Sequence, residues 1–231
     1  MPDAIFDHPR IARVYDPLDP DRSDLHTYVN LVDEFGATAV LDVGCGTGTF
    51  CCGLADRGIR VLGVDPAGAS VAVAQTKAGA NRVTWVVGTV LDVAANQSHR
   101  RQYDLATMTA NVAQVFLEDK EWLANLRAIR TCLRPGGRIA FESRVPSDQA
   151  WNRWTKKLTQ RLGRHPYRRS PQHTGQGLTA SNPDHPSRCN TALSSTGGGI
   201  VHSYVTVRYD PPRGLINLHA STNVDAWRLI E

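Results

Sequence analysis

Short apolar runs alternate with amphipathic stretches through the first 150 residues of the chain. The runs are four to seven residues long and are bounded by turn-forming residues, which predicts buried strands. Between them, apolar side chains recur three or four positions apart, which predicts helices that pack on a sheet. Strands that alternate with helices in this way form a parallel, doubly wound α/β sheet. The predicted strands are 40–43, 60–65, 83–87, 103–109 and 138–143.

The amphipathic stretches set the limits of the predicted helices. In the clearest of them, Trp122, Leu126 and Ile129 form one apolar stripe, and acidic residues at its start complement the helix dipole. Ser23 is expected to cap the first helix that packs on the sheet. The predicted helices are 24–34, 50–57, 67–77 and 119–133.

The pattern changes after residue 150. From 155 to 199 the chain has no Ile, Val, Phe, Met or Trp, so it cannot bury enough apolar surface to offset the entropy of ordering. Strand-like alternation returns over 200–209, and a Pro-Pro turn leads into 215–218, which predicts a hairpin. The expected organisation is one domain over 1–150, a basic disordered segment over 151–199, and a hairpin with a shortened C-terminus over 200–231.

The net charge of +4 comes from one part of the chain. Residues 151–199 hold eight Lys or Arg against one Asp. A folded nucleic-acid binder carries its charge on a folded face, so we expect no nucleic-acid partner. The alternative is an RNA-binding arm, although aromatic side chains for base stacking are nearly absent from it. Its basic residues would be Lys156, Lys157, Arg161, Arg164, Arg168 and Arg169.

The remaining composition excludes several other classes of protein. The five cysteines include no C-x-x-C pair, so no disulfide framework is expected. The chain begins without a basic region followed by an apolar one, and no apolar run approaches about eighteen residues. We therefore expect a cytoplasmic protein without a membrane segment. No metal-ligand spacing is found among the Cys, His and acidic residues, so no metal is expected either.

Three glycines on alternate positions follow the first predicted strand. Gly44, Gly46 and Gly48 lack the Cβ atoms that would keep a ligand away from the backbone. In the dinucleotide fingerprint the third glycine would stand at Thr49, so this spacing departs from a nicotinamide site. Asp42, just before the glycines, would repel a diphosphate and attract a cationic ligand.

An acid-x-Gly-x-Gly-x-Gly sequence after an apolar strand resembles the first motif of the class I S-adenosyl-L-methionine (SAM)-dependent methyltransferases. The run Leu133-Arg134-Pro135-Gly136-Gly137, a sharp turn before the fifth strand, is also typical of them. The resemblance implies SAM as cofactor and assigns its ribose to Asp65, which ends the second strand 23 residues after Asp42. The cofactor-binding set that it implies is Asp42, Gly44, Cys45, Gly46, Gly48, Asp65, Pro66, Thr89, Val90, Thr109 and Asn111.

The sequence departs from the family at the end of the third strand. Family members place an acid after this glycine to accept a hydrogen bond from the adenine amino group, whereas this chain has Thr89. Asp92 either reaches back to replace that acid or only solvates the turn. Other candidates are Gln114, beside the fourth strand, and Tyr15, whose alternative role is ordinary packing. Glu142 could meet a substrate or simply lie at a solvated strand end.

These observations predict a SAM-dependent methyltransferase that acts on a small-molecule acceptor. No catalytic residue is assigned, because methyl transfer from a sulfonium needs alignment and water exclusion more than a fixed base. The first alternative is an inactive SAM-binding remnant, and the second is an NAD-dependent oxidoreductase. The family normally closes its sheet with a further helix and two strands, the last inserted beside the fifth. We expect these strands to be altered or incomplete here, through a reading-frame change over about 155–199.

Overall fold

The computed structural model describes residues 4–144, 202–210 and 214–220. The segment predicted to be disordered, 151–199, lies outside the described residues, so its disorder and the proposed frame change stay predictions. The predicted boundaries at residues 150 and 199 lie outside them as well.

Seven strands form a single sheet within the described ranges, in the order β3-β2-β1-β4-β5-β6-β7. The first five are parallel, and their order reverses between β1 and β4, so the fold is the predicted doubly wound α/β sheet. The strands are β1 Ala39–Val43, β2 Arg60–Asp65, β3 Val83–Val87, β4 Tyr103–Met108, β5 Leu133–Arg144, β6 His202–Asp210 and β7 Gly214–Ala220.

The predicted turn before the fifth strand lies inside that strand. Tyr103 of β4 pairs with Leu133, and Leu105 pairs with Arg138, so β5 advances five residues while β4 advances two. Pro135 has no N–H to give to the ladder, and Gly136 adopts a left-handed φ of 80°. The residues between therefore bulge out of the sheet, and the strand resumes after them.

The last two strands extend the sheet beyond β5. β6 and β7 are antiparallel, with Asp210 opposite Gly214 at their turn. β6 lies beside β5, and β7 takes the outer position. The resemblance implies the reverse arrangement, with the last strand next to the fifth, so this part of the sheet departs from the family pattern.

Seven α-helices are described, and most of the sequence-predicted limits agree with them within a few residues. The helix expected to end at Lys77 ends at Ala74. Ser23 does not cap α3, because the residue before the helix is Asp24, whose side chain makes no capping bond. The helices are α1 Ala4–Asp7, α2 Pro9–Leu18, α3 Leu25–Glu34, α4 Thr49–Asp56, α5 Gly68–Ala74, α6 Val90–Ala95 and α7 Asp119–Cys132.

The sheet is buried on both faces by two apolar clusters of described residues. Val40 and Leu105 belong to the cluster that includes residues of α3 and α4. Leu41 and Ala106, their neighbours in sequence, belong to the cluster that includes α6 and α7. Successive side chains of a strand point to opposite faces, so each central strand contributes to both layers. This two-sided core fixes the carboxyl ends of β1, β2, β3 and β4 along one edge of the sheet.

Candidate functional site

The glycine-rich loop after β1 turns back over the end of β2. The backbone N–H groups of Gly44 and Cys45 both donate to the carbonyl of Val64, at 2.8 and 3.1 Å. Gly44, Gly46 and Gly48 have φ angles of 76°, 52° and 75°, in the left-handed region that side chains rarely adopt. The loop therefore needs glycine at all three positions for its backbone path.

The space around the three glycines differs. A Cβ on Gly48 would overlap the Trp85 ring and lie 2.7 Å from Cβ of Ala74, so this glycine allows packing. A Cβ on Gly44 would overlap Val112, which follows β4. A Cβ on Gly46 would meet no described atom within 4 Å. Of the three, Gly46 is thus the one at which a ligand can approach the backbone.

Asp65, at the end of β2, binds the backbone of Gly46. Its Oδ2 accepts a hydrogen bond from the Gly46 N–H at 2.9 Å, and its Oδ1 accepts one from the Ala67 N–H at 2.8 Å. Burial raises the pKa of Asp65, although the two N–H groups act in the opposite direction. The carboxylate is thus bonded to the glycine whose surroundings are open, and Pro66 is exposed next to it.

Asp42 lies beneath the loop rather than in an open crevice. It is 1% exposed, and its carboxylate accepts hydrogen bonds from the Thr107 hydroxyl at 2.8 Å and the Cys51 thiol at 3.3 Å. Burial raises the pKa of Asp42 to about 6. These contacts connect β1 to β4 and α4. The structure therefore corrects the expectation that this carboxylate faces the ligand, because its side chain is buried between β1, β4 and α4.

At the end of β3, Asp92 reaches back to Thr89. Its Oδ2 accepts hydrogen bonds from both the backbone N–H and the hydroxyl of Thr89, each at 2.8 Å. The pair forms a capping box at the start of α6. Val90, the other residue predicted here, is buried in the core.

The segment after β4 has an unusual backbone. Ala110 and Asn111 have φ angles of 54° and 65°, and Asn111 is the residue type that tolerates this region best. The Asn111 N–H donates to Glu142 Oε1 at 3.0 Å, so Glu142 supports the turn. The side-chain oxygen of Asn111 is buried without a hydrogen-bond partner among the described residues. Thr109 is buried, and Gln114 is exposed one turn further on.

The N-terminal helices are attached to the glycine loop by polar contacts that the sequence analysis missed. Asp16 of α2 accepts a hydrogen bond from the Thr47 hydroxyl at 2.6 Å and pairs with the ammonium of Lys77 at 2.6 Å. Lys77 also donates to the Thr49 hydroxyl at 2.7 Å. Burial opposes ionisation of Asp16, but the contacts with Lys77 and Thr47 lower its pKa overall. Tyr15, the residue before it, is half-buried.

The predicted site residues thus divide into two groups. Those that are exposed or half-buried are Gly44, Gly46, Pro66, Thr89 and Asn111. Those that are buried are Asp42, Cys45, Gly48, Asp65, Val90 and Thr109, and of these Asp65 is bonded to the accessible Gly46. Across the described residues, no group of three or more His, Cys, Asp or Glu could hold a metal ion. No described helix is both long and apolar enough to span a membrane.

Residues 40–137 match the family model of the methyltransferase domain. The cypemycin N-terminal methyltransferase of a Streptomyces species is 32% identical over 126 residues, which make up 54% of this chain and 50% of that protein. A ubiquinone biosynthesis O-methyltransferase of Marinobacter nauticus is 31% identical over 116 residues, 48% of this chain and 47% of that protein. The chain therefore spans about half the length of these curated relatives.

The fold is also similar to that of solved structures. One is the plantazolicin methyltransferase BamL, in complex with a triazolic desmethylPZN analogue and S-adenosylhomocysteine (SAH). It aligns with a TM-score of 0.54 and 16% identity over 70% of this chain and 62% of that one. At this identity the likeness shows a common fold.

Proposed function

We propose that the chain, whose residues 40–137 match the family model of the methyltransferase domain, transfers a methyl group from SAM to a small-molecule acceptor. The match covers only about half of each relative, so the activity of those whole proteins does not carry over to this chain by similarity alone. Methyl transfer by this chain is therefore a proposal. We do not assign the atom that accepts the methyl group, since one relative is named for methylation of an N-terminus and another for O-methylation.

The observation that carries the proposal is the pairing of an open backbone with an acid. Gly46 leaves space for a ligand, and the Asp65 carboxylate is hydrogen-bonded to the same residue. An ionised carboxylate offers about four lone-pair sites, and two backbone N–H groups occupy two of them. The others can accept from the two hydroxyls of a ribose. A nucleoside ligand therefore fits this edge of the sheet.

The segment after β4 suits the amino-acid end of the same ligand. Val112 packs against Gly44, which brings Asn111 to the glycine loop. The buried side-chain oxygen of Asn111, which has no partner among the described residues, can accept a hydrogen bond from an ammonium group. The residues present thus fit two parts of SAM, in that Asp65 would hold the ribose and Asn111 would accept from the ammonium group of the methionine part.

Bound SAM supplies a methyl carbon that is already activated for in-line displacement. The chain then has to fix the donor, align the acceptor and keep water away. Asp65 and Gly46 would fix the donor from the sheet side. Helix α2, tied to Thr47 through Asp16, would cover it from the other side. In this arrangement the acceptor enters beside the segment after β4, at the end of the central strands.

The proposal is tested by calorimetry followed by a transfer screen. SAH titrated into the purified chain should bind at one site, and NADH in a matched titration should not bind. Radiolabelled SAM is then offered with panels of phenols, amines and short peptides, and label should pass to one acceptor class. Binding of NADH instead of SAH would contradict the proposal, and SAH binding without transfer to any panel would favour an inactive SAM-binding protein.

A further inference from the structure

A buried acid at the end of β5 is bonded to the segment after β4. Glu142 is 2% exposed, so it does not lie at a solvated strand end. Its Oε1 accepts a hydrogen bond from the backbone N–H of Asn111 at 3.0 Å. β4 and β5 are neighbours in the sheet, with Met108 paired to Phe141, so the acid reaches from the end of one strand to the turn that follows the other. Glu142 is therefore placed to control the conformation of that turn.

The turn needs support because its backbone is strained. Ala110 and Asn111 both have φ angles in the left-handed region, at 54° and 65°, and the Cβ of alanine makes this region unfavourable. Residues in such regions keep their conformation only where the surrounding structure holds them. Within the turn, the Val112 N–H donates to the Thr109 carbonyl at 3.2 Å. The bond to Glu142 connects the same turn to another strand.

The conformation of the turn decides where the Asn111 side chain lies. Asn111 precedes a short 3-10 helix, Val112–Val115, yet its side chain makes no capping bond. Its side-chain oxygen is buried and has no hydrogen-bond partner among the described residues. Val112, the next residue, packs against Gly44, so this oxygen lies beside the glycine-rich loop. A return to the right-handed region would rotate φ of Asn111 by about 130° and move the oxygen away.

We propose that Glu142 is a positioning residue for methyl transfer, because its bond to the Asn111 N–H keeps the left-handed turn formed and the Asn111 side-chain oxygen beside the glycine-rich loop. The inference rests on the proposed function, since it concerns the same cofactor. In this role Glu142 touches neither cofactor nor acceptor and acts through the backbone of Asn111. Its removal should therefore weaken ligands that reach Asn111 and spare ligands that do not.

The test compares two ligands that share an adenosine and a thioether. SAH carries the amino-acid part, whereas 5′-methylthioadenosine carries a methyl group in its place. Their dissociation constants are measured by calorimetry for the wild-type chain, Glu142→Leu, Glu142→Gln and Asn125→Leu. Glutamine can still accept from the Asn111 N–H, whereas leucine cannot. Asn125→Leu is the matched control, because Asn125 is also a buried polar side chain bonded to a backbone group, inside α7.

The wild-type chain should prefer SAH, and Glu142→Leu should reduce the ratio of the two affinities by about tenfold, as expected when one hydrogen bond to the ligand is lost. Glu142→Gln should keep the ratio within about twofold of the wild-type value. Asn125→Leu should leave it unchanged. Equal weakening of both ligands by Glu142→Leu, an unchanged ratio, or a wild-type chain that binds both ligands equally would overturn the inference. A wild-type chain that binds neither ligand would instead refute the proposed function itself.

A second variant keeps the test decisive if Glu142→Leu does not fold. Glu142→Asp keeps the carboxylate but shortens the side chain by one methylene, which weakens the bond to the Asn111 N–H. The affinity ratio should then fall by about threefold, in the same direction as for Glu142→Leu. An unchanged ratio in Glu142→Asp, with the variant folded by thermal melting, would show that Glu142 does not position Asn111.

Discussion

Asp65 uses one carboxylate for two backbone contacts, one with the glycine-rich loop after β1 and one with the turn after β2. One oxygen holds Gly46, and the other holds Ala67 just before α5. A ribose bound at the remaining lone pairs would therefore meet a carboxylate whose position is already fixed. Such preorganisation reduces the entropy lost on binding.

The glycines of the loop should respond differently to the same substitution. Gly46→Ala and Gly48→Ala both place a side chain at a left-handed φ, at about 1 to 2 kcal/mol each. Gly46→Ala also fills the open space, so SAH affinity should fall by about tenfold or more. Gly48→Ala also crowds Trp85 and Ala74, and should lower the free energy of unfolding by a further 1 to 3 kcal/mol, roughly.

Thermal melting and SAH calorimetry on the two variants check this pair of outcomes. Each variant serves as the control for the other, since both share the backbone strain. If Gly48→Ala lost affinity without losing stability while Gly46→Ala kept full affinity, the assignment of the open position to Gly46 would be wrong.

Buried Asp42 should make the stability of the chain depend on pH. Its pKa rises from 3.8 to about 6 on folding, so the folded state holds the proton more tightly than the unfolded state. The resulting stabilisation is complete below pH 3.8 and is lost as the pH rises through 6. Asp42→Asn removes this dependence. The stability of the variant relative to wild type should therefore increase from pH 4 to pH 7, by at most about 3 kcal/mol.

Urea unfolding of both proteins at several pH values measures that difference. Asp104→Asn is a suitable control, because its carboxylate is partly exposed and the backbone N–H groups of Thr38 and Ala39, with Arg134, keep its pKa low. A difference between Asp42→Asn and wild type that is constant with pH would show that Asp42 titrates normally.

Part of the site at the residue scale could be predicted from the sequence. Asp65 and Gly46 follow from local spacing, because a strand-turn-helix unit brings an acid and a glycine to one edge. The packing of Gly48 against Trp85 depends on a strand that comes 37 positions later, and no local pattern reports it. The burial of Asp42 was missed because its partners Thr107 and Cys51 lie on other elements.

Among the elements, helix α2 is connected to the glycine-rich loop by the Asp16 side chain. This carboxylate is bonded to Thr47 of the loop and to Lys77 beyond α5, and Lys77 is bonded to Thr49 at the start of α4. Three separate stretches of chain therefore meet at one partly buried ion pair. Such a network can couple the position of the helix to the shape of the loop.

Asp16→Asn should loosen the helix over a bound cofactor. The amide still accepts from Thr47 but loses the charge that attracts Lys77, so SAH should dissociate about three to ten times faster. The stability of the free chain should change by about 1 kcal/mol or less, because the pair is partly exposed.

Stopped-flow release of SAH measures the dissociation rate of this variant. Asp19→Asn, at the exposed end of the same helix, is the control and should release SAH at the wild-type rate. Equal release rates for Asp16→Asn and wild type would mean that the ion pair does not hold the helix over the site.

The ends of the strands were predicted well from the sequence, whereas the bulge within β5 was not. The predicted strand 40–43 lies within β1, whose residues are all buried, and a strand buried in the sheet leaves little freedom in its composition. The Pro-Gly-Gly segment was predicted as a turn, whereas it bulges from β5 while the strand continues on both sides. Proline and glycine favour both a turn between elements and a bulge within a strand, and only the pairing with β4 shows that this segment is a bulge.

At the scale of the whole molecule, the parallel sheet brings four loops to a common edge. Two apolar layers bury both faces of the central strands, so the edge at their carboxyl ends is the place where backbone groups stay open to ligands. The alternation of strands and helices predicts this architecture from the sequence. The order of β6 and β7 beyond β5 could not be predicted, because it depends on pairing between distant parts of the chain.

We propose that the edge formed by Gly46 and Asp65 holds the adenosyl part of SAM, and a crystal structure of the chain grown with SAH tests this. We expect electron density for SAH at this edge, with both ribose hydroxyls within hydrogen-bond distance of the Asp65 carboxylate and the sugar against the Gly46 backbone. SAH bound elsewhere on the chain, or at this edge with its ribose turned away from Asp65, would show that these residues do not hold the cofactor.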